Sequence, residues 1–346
     1  MKAILILICL ACLPKLYSQT KEKMQYKFYL DSAHYYFEEG NYEKCIDFST
    51  EAIHTIPDVP FAYGMRAICY SRLERHLEAI HDYTKAIEYP PQIKSSELYY
   101  SRAISEIMEC DTNACLTDLN KCLDLDYKNA DAFFSRARIF VAKNNIRRAM
   151  LDLSQCLSID STYFDAAILK ADLLARDSNL REAYKFYKKA SMIRPEVAYN
   201  HYQMGLIQLE ENNLGPCLKH FNETIQCDTG QIKQFNMVYF MRGNVYRELG
   251  DNERSLSDFQ TYNGFYPDDA IGFYATARAK IRLKKQKEAL PDLNRSIELD
   301  NTDEEVYYWR GLLKFWLEMD GCSDLIKAEE MGYEDATLEI KNRSCR

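Results

Sequence analysis

The chain has 346 residues, only 12 of them glycine and 9 proline, and its 52 acidic against 44 basic side chains give a formal charge of −8. Scarce glycine and proline alongside abundant Leu, Ala, Glu, Lys and Tyr favour helix over sheet or disorder. The acidic balance speaks against nucleic acid as a partner and is the charge that keeps an extended surface soluble.

Met1-Lys2, an apolar run from Ala3 to Leu13, then Pro14, Lys15 and a small-residue exit at Ser18 have the layout of a secretory signal peptide over 1–18. This predicts a mature chain that starts at Gln19, with a short lead-in over 19–25, and a location that is periplasmic, outer-membrane-associated or secreted. An alternative makes Cys12 an acylated lipoprotein cysteine, although Cys9 stands where such signals carry Leu. The leader is too short to cross a bilayer and no later segment is long and apolar enough, so no transmembrane span is expected.

From Tyr26 onward a pattern returns about every 34 residues. The units run 26–59, 60–93, 96–129, 130–163, 164–197, 198–231, 236–269 and 270–303, with a shortened ninth from Glu304 to Met331, and Lys94-Ser95 and Ile232 to Phe235 interrupt the register. The eighth position reads Ala33, Ala67, Ala103, Ala137, Ala171, Gly205, Gly243, Ala277 and Gly311. Small residues also hold the twentieth position (Cys45, Ala79, Cys115, Ala149, Ala183, Cys217, Ser255, Ala289) and the twenty-seventh (Ala52, Ala86, Cys122, Cys156, Ala190, Thr224, Ser296). Helices must cross closely at such sites, because a larger side chain there costs about 1–3 kcal/mol of overpacking. Tyr29, Tyr63, Tyr99, Phe133, Tyr239, Phe273 and Tyr307 at the fourth position fill the neighbouring holes, and Pro57, Pro91, Pro195 and Pro267 stop the second helix.

These residues resemble the tetratricopeptide repeat, whose pattern has an aromatic at the fourth position, small residues at the eighth, twentieth and twenty-seventh, and Pro at the thirty-second. The resemblance implies an all-α, right-handed superhelical solenoid of antiparallel helix pairs, about nine units over 26–331, closed by a C-terminal capping helix and tail over 332–346. One elongated domain is expected, with the first helices lining a concave groove.

Arg66, Arg102, Arg136 and Arg242 at the seventh position occur in the units that carry Asp82, Asp118, Asp152 and Asp258 at the twenty-third. Repeats one, five and six lack both, the ninth offers Arg310 and Asp324, and the eighth has Asp292 alone. This co-occurrence predicts structural pairs within repeats rather than ligand contacts. In repeat seven, bulky Tyr262 at the small twenty-seventh position and Gly264 just beyond it predict a second helix that ends early.

No nucleophile–base set, carboxylate pair, glycine loop or metal motif stands out, so neither catalysis nor a cofactor is expected. The histidines, His34, His54, His76, His81, His201 and His220, are scattered, and His76 and His81 lie on different faces of a helix, so no metal site is expected. Asp124 and Asp126 are turn residues at a helix end rather than calcium ligands. Of the cysteines, those in small slots act as apolar residues, while Cys69, Cys110 and Cys227 have no evident partner. Cys322, opening the last repeat helix, and Cys345, closing the antiparallel helix around 334–341, could meet as a terminal disulfide in an oxidising compartment.

Function is expected on the concave face, from the fifth and ninth positions: Tyr100, Phe134, Arg138, Asp172, Tyr202, Phe240, Asn244, Tyr274, Arg278 and Tyr308. Rings supply contact area and sparse charges supply orientation, which suits a protein or peptide partner, in association with a cell-envelope complex. Repeats that clamp the C-terminal carboxylate of cytosolic chaperones carry Lys at the fifth and Asn at the ninth position, where this chain has Leu30, His34, Gly64, Ile68 and Tyr100. The alternatives are a secretory-pathway co-chaperone, for which the sequons at Asn222, Asn294 and Asn342 would matter but whose family adds a J domain this sequence lacks, and a glycan-binding envelope protein.

Overall fold

The computed structural model describes residues 21–89, 95–109, 111–227 and 235–345. The leader over 1–18, residues 19–20, Pro91, Lys94, Cys110 and all of the second insertion but Phe235 lie outside the described residues. Among the described residues there are nineteen α-helices and no strand.

The chain divides into two compact units, Met1–Leu173 and Leu174–Arg346. The first contains α1 (Lys21–Glu38), α2 (Tyr42–Thr55), α3 (Pro60–Arg72), α4 (His76–Glu88), α5 (Ser96–Met108), α6 (Thr112–Leu125), α7 (Ala130–Ala142) and α8 (Ile146–Ile159), each packed on the next. The division falls within α9 (Phe164–Arg176). The second unit continues with α10 (Leu180–Ile193), α11 (Ala198–Glu210), α12 (Leu214–Cys227), α13 (Met237–Glu248), α14 (Asn252–Phe265), α15 (Ala270–Arg282), α16 (Gln286–Leu299), α17 (Glu304–Trp316), α18 (Cys322–Glu330) and α19 (Glu334–Asn342). Within each unit the helices pack mainly on their neighbours in sequence.

Polar residues before the helices start them. Asn41 Oδ1 accepts the Lys44 N–H, Asn145 Oδ1 that of Arg148, and Asp251 Oδ1 that of Arg254, at 3.1–3.3 Å. In eight of the pairs the first helix ends in one way. The residue at the fifteenth position has a left-handed φ, between 55° and 80°, at Gly40, Glu74, Asn144, Ser178, Asn212, Gly250, Lys284 and Glu318. The next residue then donates back into the helix, as in Arg75 N–H to Tyr70 O at 2.9 Å and Asn145 N–H to Phe140 O at 2.7 Å. Only two of these are glycine, so the other positions bear the roughly 1 kcal/mol that a left-handed L-residue costs, held in place by the packing of the pair.

The small residues are the crossing points. Ala33, Ala67, Ala103, Ala137, Ala171 and Ala277 are fully buried, as are Cys45, Cys115, Cys122, Cys156 and Cys217. At two of the glycines a phenylalanine ring fills the place of a Cβ. A Cβ on Gly205 would lie 2.5 Å from the Phe221 ring and one on Gly243 2.8 Å from Phe259. Where the eighth position is Ala103, Ala137 or Ala277, the matching residue is Leu119, Leu153 or Leu293.

In repeat seven the expected early stop does not occur. Its α14 keeps 14 residues, the length of most of its equivalents, and Tyr262 is buried in it. Room comes from the next helix, where a Cβ on Gly272 would lie 2.8 Å from the Tyr262 ring, and the Tyr262 hydroxyl donates to Asp269.

Burial pushes the thiols of Cys115, Cys122, Cys156 and Cys217 up to about 12, which removes thiolate chemistry at neutral pH. Cys69, partnerless in sequence, packs in one cluster with Cys45. Cys322 and Cys345 form a disulfide with Cα atoms 5.3 Å apart, and Ile340 of α19 packs on Leu312 and Leu325 beside it. No described helix is long and apolar enough to cross a membrane.

Candidate functional site

The seventh-position arginines form a ladder. Nε and Nη2 of Arg66, Arg102, Arg136, Arg242 and Arg310 donate to both carboxylate oxygens of Asp82, Asp118, Asp152, Asp258 and Asp324 at 2.6–2.9 Å. Nη1 reaches back to the preceding repeat, to Thr50, Thr84, Asn120, Asn222 and Asn294 respectively. Each guanidinium also lies 5.5–5.9 Å from the centroid of the fourth-position ring of its own helix. Asp292, expected alone, accepts from Lys280 Nζ at 2.6 Å. These charges hold the fold and leave few of their donors for a ligand. Beside the ladder, Glu106 is buried with Oε2 lacking a hydrogen-bond partner. Its burial, with the nearby Asp118 charge, pushes the carboxyl up to about 7.

Among the expected groove residues, the structure gathers Phe134 and Arg138 of α7 and Asp172 of α9 around one cleft of about 370 Å³, with Val141, Ala142, Asp165, Ile168 and Leu169 completing its lining. The cleft has an apolar floor, an exposed cation on the α7 side and carboxylates on the α9 side. The Phe134 ring is set by Tyr163, 5.1 Å away, whose hydroxyl donates to Asp131 at 2.8 Å. A second concavity, of about 400 Å³, is lined by Arg66, Tyr70, Leu77, Glu78, His81 and Asp82, and so contains a closed rung of the ladder.

The other expected residues lie elsewhere. Tyr100 is half-buried, and burial raises its phenol while a hydrogen bond with Ser135 lowers it. Tyr202 packs on Phe221 and Phe235, and Phe240 on Phe259 and Tyr262. Asn244 Nδ2 donates to the Phe240 carbonyl of its own helix. Arg278 Nη1 donates to the Tyr274 hydroxyl at 2.6 Å and Glu305 at 2.8 Å while its guanidinium sits 3.8 Å from the Trp309 ring. Tyr308 packs against Tyr333, beside the start of α19. Of the expected residues, Phe134, Arg138 and Asp172 line the first cleft.

The histidines are not all scattered. His201 of α11 and His220 of α12 both direct Nδ1 at Glu223 Oε2, at 3.1 and 2.9 Å, and Tyr184 of α10 meets His220 Nε2 at 3.0 Å. Burial lowers the His220 pKa, opposed by Glu223. His201 and His220 stand at the fourth and twenty-third positions of repeat six, where other repeats place the ring and the aspartate of the ladder. That alignment was the signal available in sequence.

Residues 62–93 and 238–269 match the family model for the tetratricopeptide repeat. These two segments are tetratricopeptide repeats. No curated protein matches the chain significantly. Among solved structures, the C-terminal part of a TPR repeat-containing protein from Cytophaga hutchinsonii is 12% identical, with a TM-score of 0.62 over 72% of this chain and 98% of that one. A tetratricopeptide repeat protein from Parabacteroides merdae ATCC 43184 is 15% identical over 74% of this chain and 99% of that one, with a TM-score of 0.49. YrrB, described as a TPR protein with an unusual peptide-binding site, is 18% identical over 53% and 94%, with a TM-score of 0.46. In the tetratricopeptide-repeat frame, the two matched segments are repeats two and seven, each carrying a complete rung of the arginine ladder.

Proposed function

We propose that the chain is a non-catalytic adaptor that binds an extended peptide segment of a partner protein in the α7–α9 cleft and works outside the cytoplasm, in the cell envelope. The observation that carries this is the cleft itself: Phe134, Val141, Ile168 and Leu169 offer an apolar seat, flanked by Arg138 on one side and Asp165 and Asp172 on the other. A peptide with one large apolar side chain between an acidic and a basic residue matches that charge order. Export is supported by the leader-like residues 1–18 and by a disulfide between Cys322 and Cys345, a bond that persists in oxidising compartments.

The test is selection of displayed peptides on the purified mature chain, followed by affinity measurements with Phe134→Ala and Arg138→Glu variants whose helicity matches the parent. Peptides of the stated pattern should lose at least tenfold in affinity with either variant. Peptides that bind both variants as tightly as the parent would move the binding surface away from the cleft. N-terminal sequencing of protein recovered from the expressing cells should start at Gln19; an intact Met1 would remove the envelope assignment and leave the cleft untouched.

A further inference from the structure

Repeat six has a cluster with no role in peptide binding. His201 Nδ1, His220 Nδ1 and Glu223 Oε2 lie within 4.8 Å of one another. Two imidazole nitrogens with one carboxylate oxygen form a donor set for which first-row divalent cations, zinc among them, have high affinity. A tetrahedral ion with bonds of about 2.0–2.1 Å keeps its ligand atoms a little over 3 Å apart. The two nitrogen–oxygen separations, 3.1 and 2.9 Å, are already close to that spacing.

Both rings are also held from behind. His201 Nε2 meets the Pro195 carbonyl at 3.0 Å, and His220 Nε2 meets the Tyr184 hydroxyl at 3.0 Å. Partners at the far nitrogen fix the ring orientation. The Pro195 carbonyl can only accept, so the His201 Nε2–H donates to it. With that hydrogen on Nε2, a neutral ring offers its Nδ1 lone pair to a cation beside Glu223 Oε2. The side chains of His201 and His220 are 11% and 10% exposed and that of Glu223 is 30% exposed, which leaves one open side for a water ligand.

We propose that His201, His220 and Glu223 bind one zinc-class divalent cation, with water as the fourth ligand, and that the ion ties α11 to α12. Repeat six is a place where such a tie is needed, because Met204 and His220 occupy the positions that hold the arginine and aspartate of the ladder in other repeats. The site is independent of the peptide cleft, whose residues all lie before Leu174.

The probe is zinc ion alone, titrated calorimetrically into the full mature chain after chelator treatment, with any affinity tag removed and the terminal disulfide intact. The expected result is one ion per chain, a rise in melting temperature, and at least a tenfold loss of affinity in each of His201→Gln and His220→Gln. Cys227, whose thiol donates to the same Pro195 carbonyl at 3.3 Å, is the competing ligand, and Cys227→Ser should bind zinc as the parent does. Absence of stoichiometric binding, binding that survives both histidine variants, or binding lost in Cys227→Ser would overturn the site. If the histidine variants do not fold, cobalt(II) in the parent protein decides. The intense visible bands of a four-coordinate nitrogen–oxygen site support it, and a thiolate charge-transfer band or the weak spectrum of octahedral cobalt rules it out.

Discussion

Breaking one rung of the arginine ladder should cost more than removing the whole rung. Arg136 donates to Asp152 through two bonds of 2.8 Å, and the paired side chains are 19% and 7% exposed. Asp152→Ala strands a guanidinium with two donors aimed at a vacated site. Exposed pairs are worth about 0.2–1 kcal/mol, and breaking a fully buried pair costs about 3–5 kcal/mol. Arg136 is partly reached by water, so about 2–3 kcal/mol is expected for either single removal. Replacing both, with Arg136→Met and Asp152→Leu, removes the desolvated charges together and should cost at most about 1 kcal/mol. The Asn120 amide oxygen loses a donor in each arginine variant, and Asn120→Ala alone should cost about 0.5–1.5 kcal/mol. Global melting is a poor assay, because repeat arrays open in parts. Native-state hydrogen exchange on the amides of α7 and α8 measures the local opening energy directly. A double replacement that costs the sum of the two single replacements would refute a coupled rung.

Glu106 gives a pH dependence. Its carboxyl, at about 7 in the fold against 4.5 unfolded, binds its proton more tightly in the native state, so stability falls as pH rises from about 4.5 through about 7, by at most about 3 kcal/mol. Glu106→Gln should flatten the pH dependence of the local opening energy of α5, read by native-state hydrogen exchange, and exceed the parent above that window; an unchanged pH slope would place the titration elsewhere. Gly205→Ala puts a Cβ 2.5 Å from Phe221 and should destabilise by about 1–3 kcal/mol, and adding Phe221→Leu should recover part of this, since Leu is the residue that accompanies Ala in repeats three, four and eight. No recovery in exchange of α11 and α12 would reject the steric account. Cys322→Ser with Cys345→Ser opens a loop of sequence separation 23, worth about 3 kcal/mol by chain entropy, and should raise exchange over 334–342 while α10 keeps its protection.

The repeat was legible because its steric demand recurs: a fully buried slot such as Ala33 or Ala137 accepts almost nothing larger, so the eighth position marks the register wherever the rest drifts. The Arg–Asp rungs were legible through co-occurrence, since a half-buried guanidinium without its carboxylate is too costly to keep. Their third partner was not. Thr50, Thr84, Asn120, Asn222 and Asn294 share one position in the repeat, but hydroxyl and amide side chains are common on helix surfaces, and nothing in one unit points to an arginine in the next. Tyr262 misled for a related reason: the space it occupies is made by Gly272 in the following repeat, and a unit read alone shows the large residue without the hole. The left-handed turns at Glu74 and Lys284 carry no glycine to announce them. At the cleft, the fifth and ninth positions were legible, whereas Val141, Asp165 and Leu169 join them only through the pairing of α7 with α9.

The same logic of neighbours explains why repeat six is chemically odd. A guanidinium at the seventh position joins three helices, its own, its partner and the second helix of the preceding repeat, and so carries both the intrinsic energy of a repeat and part of the interface to its neighbour. Repeat five keeps the backward half, with Lys170 Nζ donating to Ser154 at 2.9 Å. Repeat eight keeps only the inner half, through Lys280 and Asp292. Repeat six has neither, since Met204 stands at the seventh position. In their place, His201 to Pro195 and Tyr184 to His220 reach back to repeat five, and the two rings meet on Glu223 within repeat six. A link of this kind depends on what sits between the rings and the carboxylate, whereas an arginine rung does not. The junction of repeats five and six is therefore where the proposed divalent cation would act on the array, in place of the permanent charge of an arginine rung.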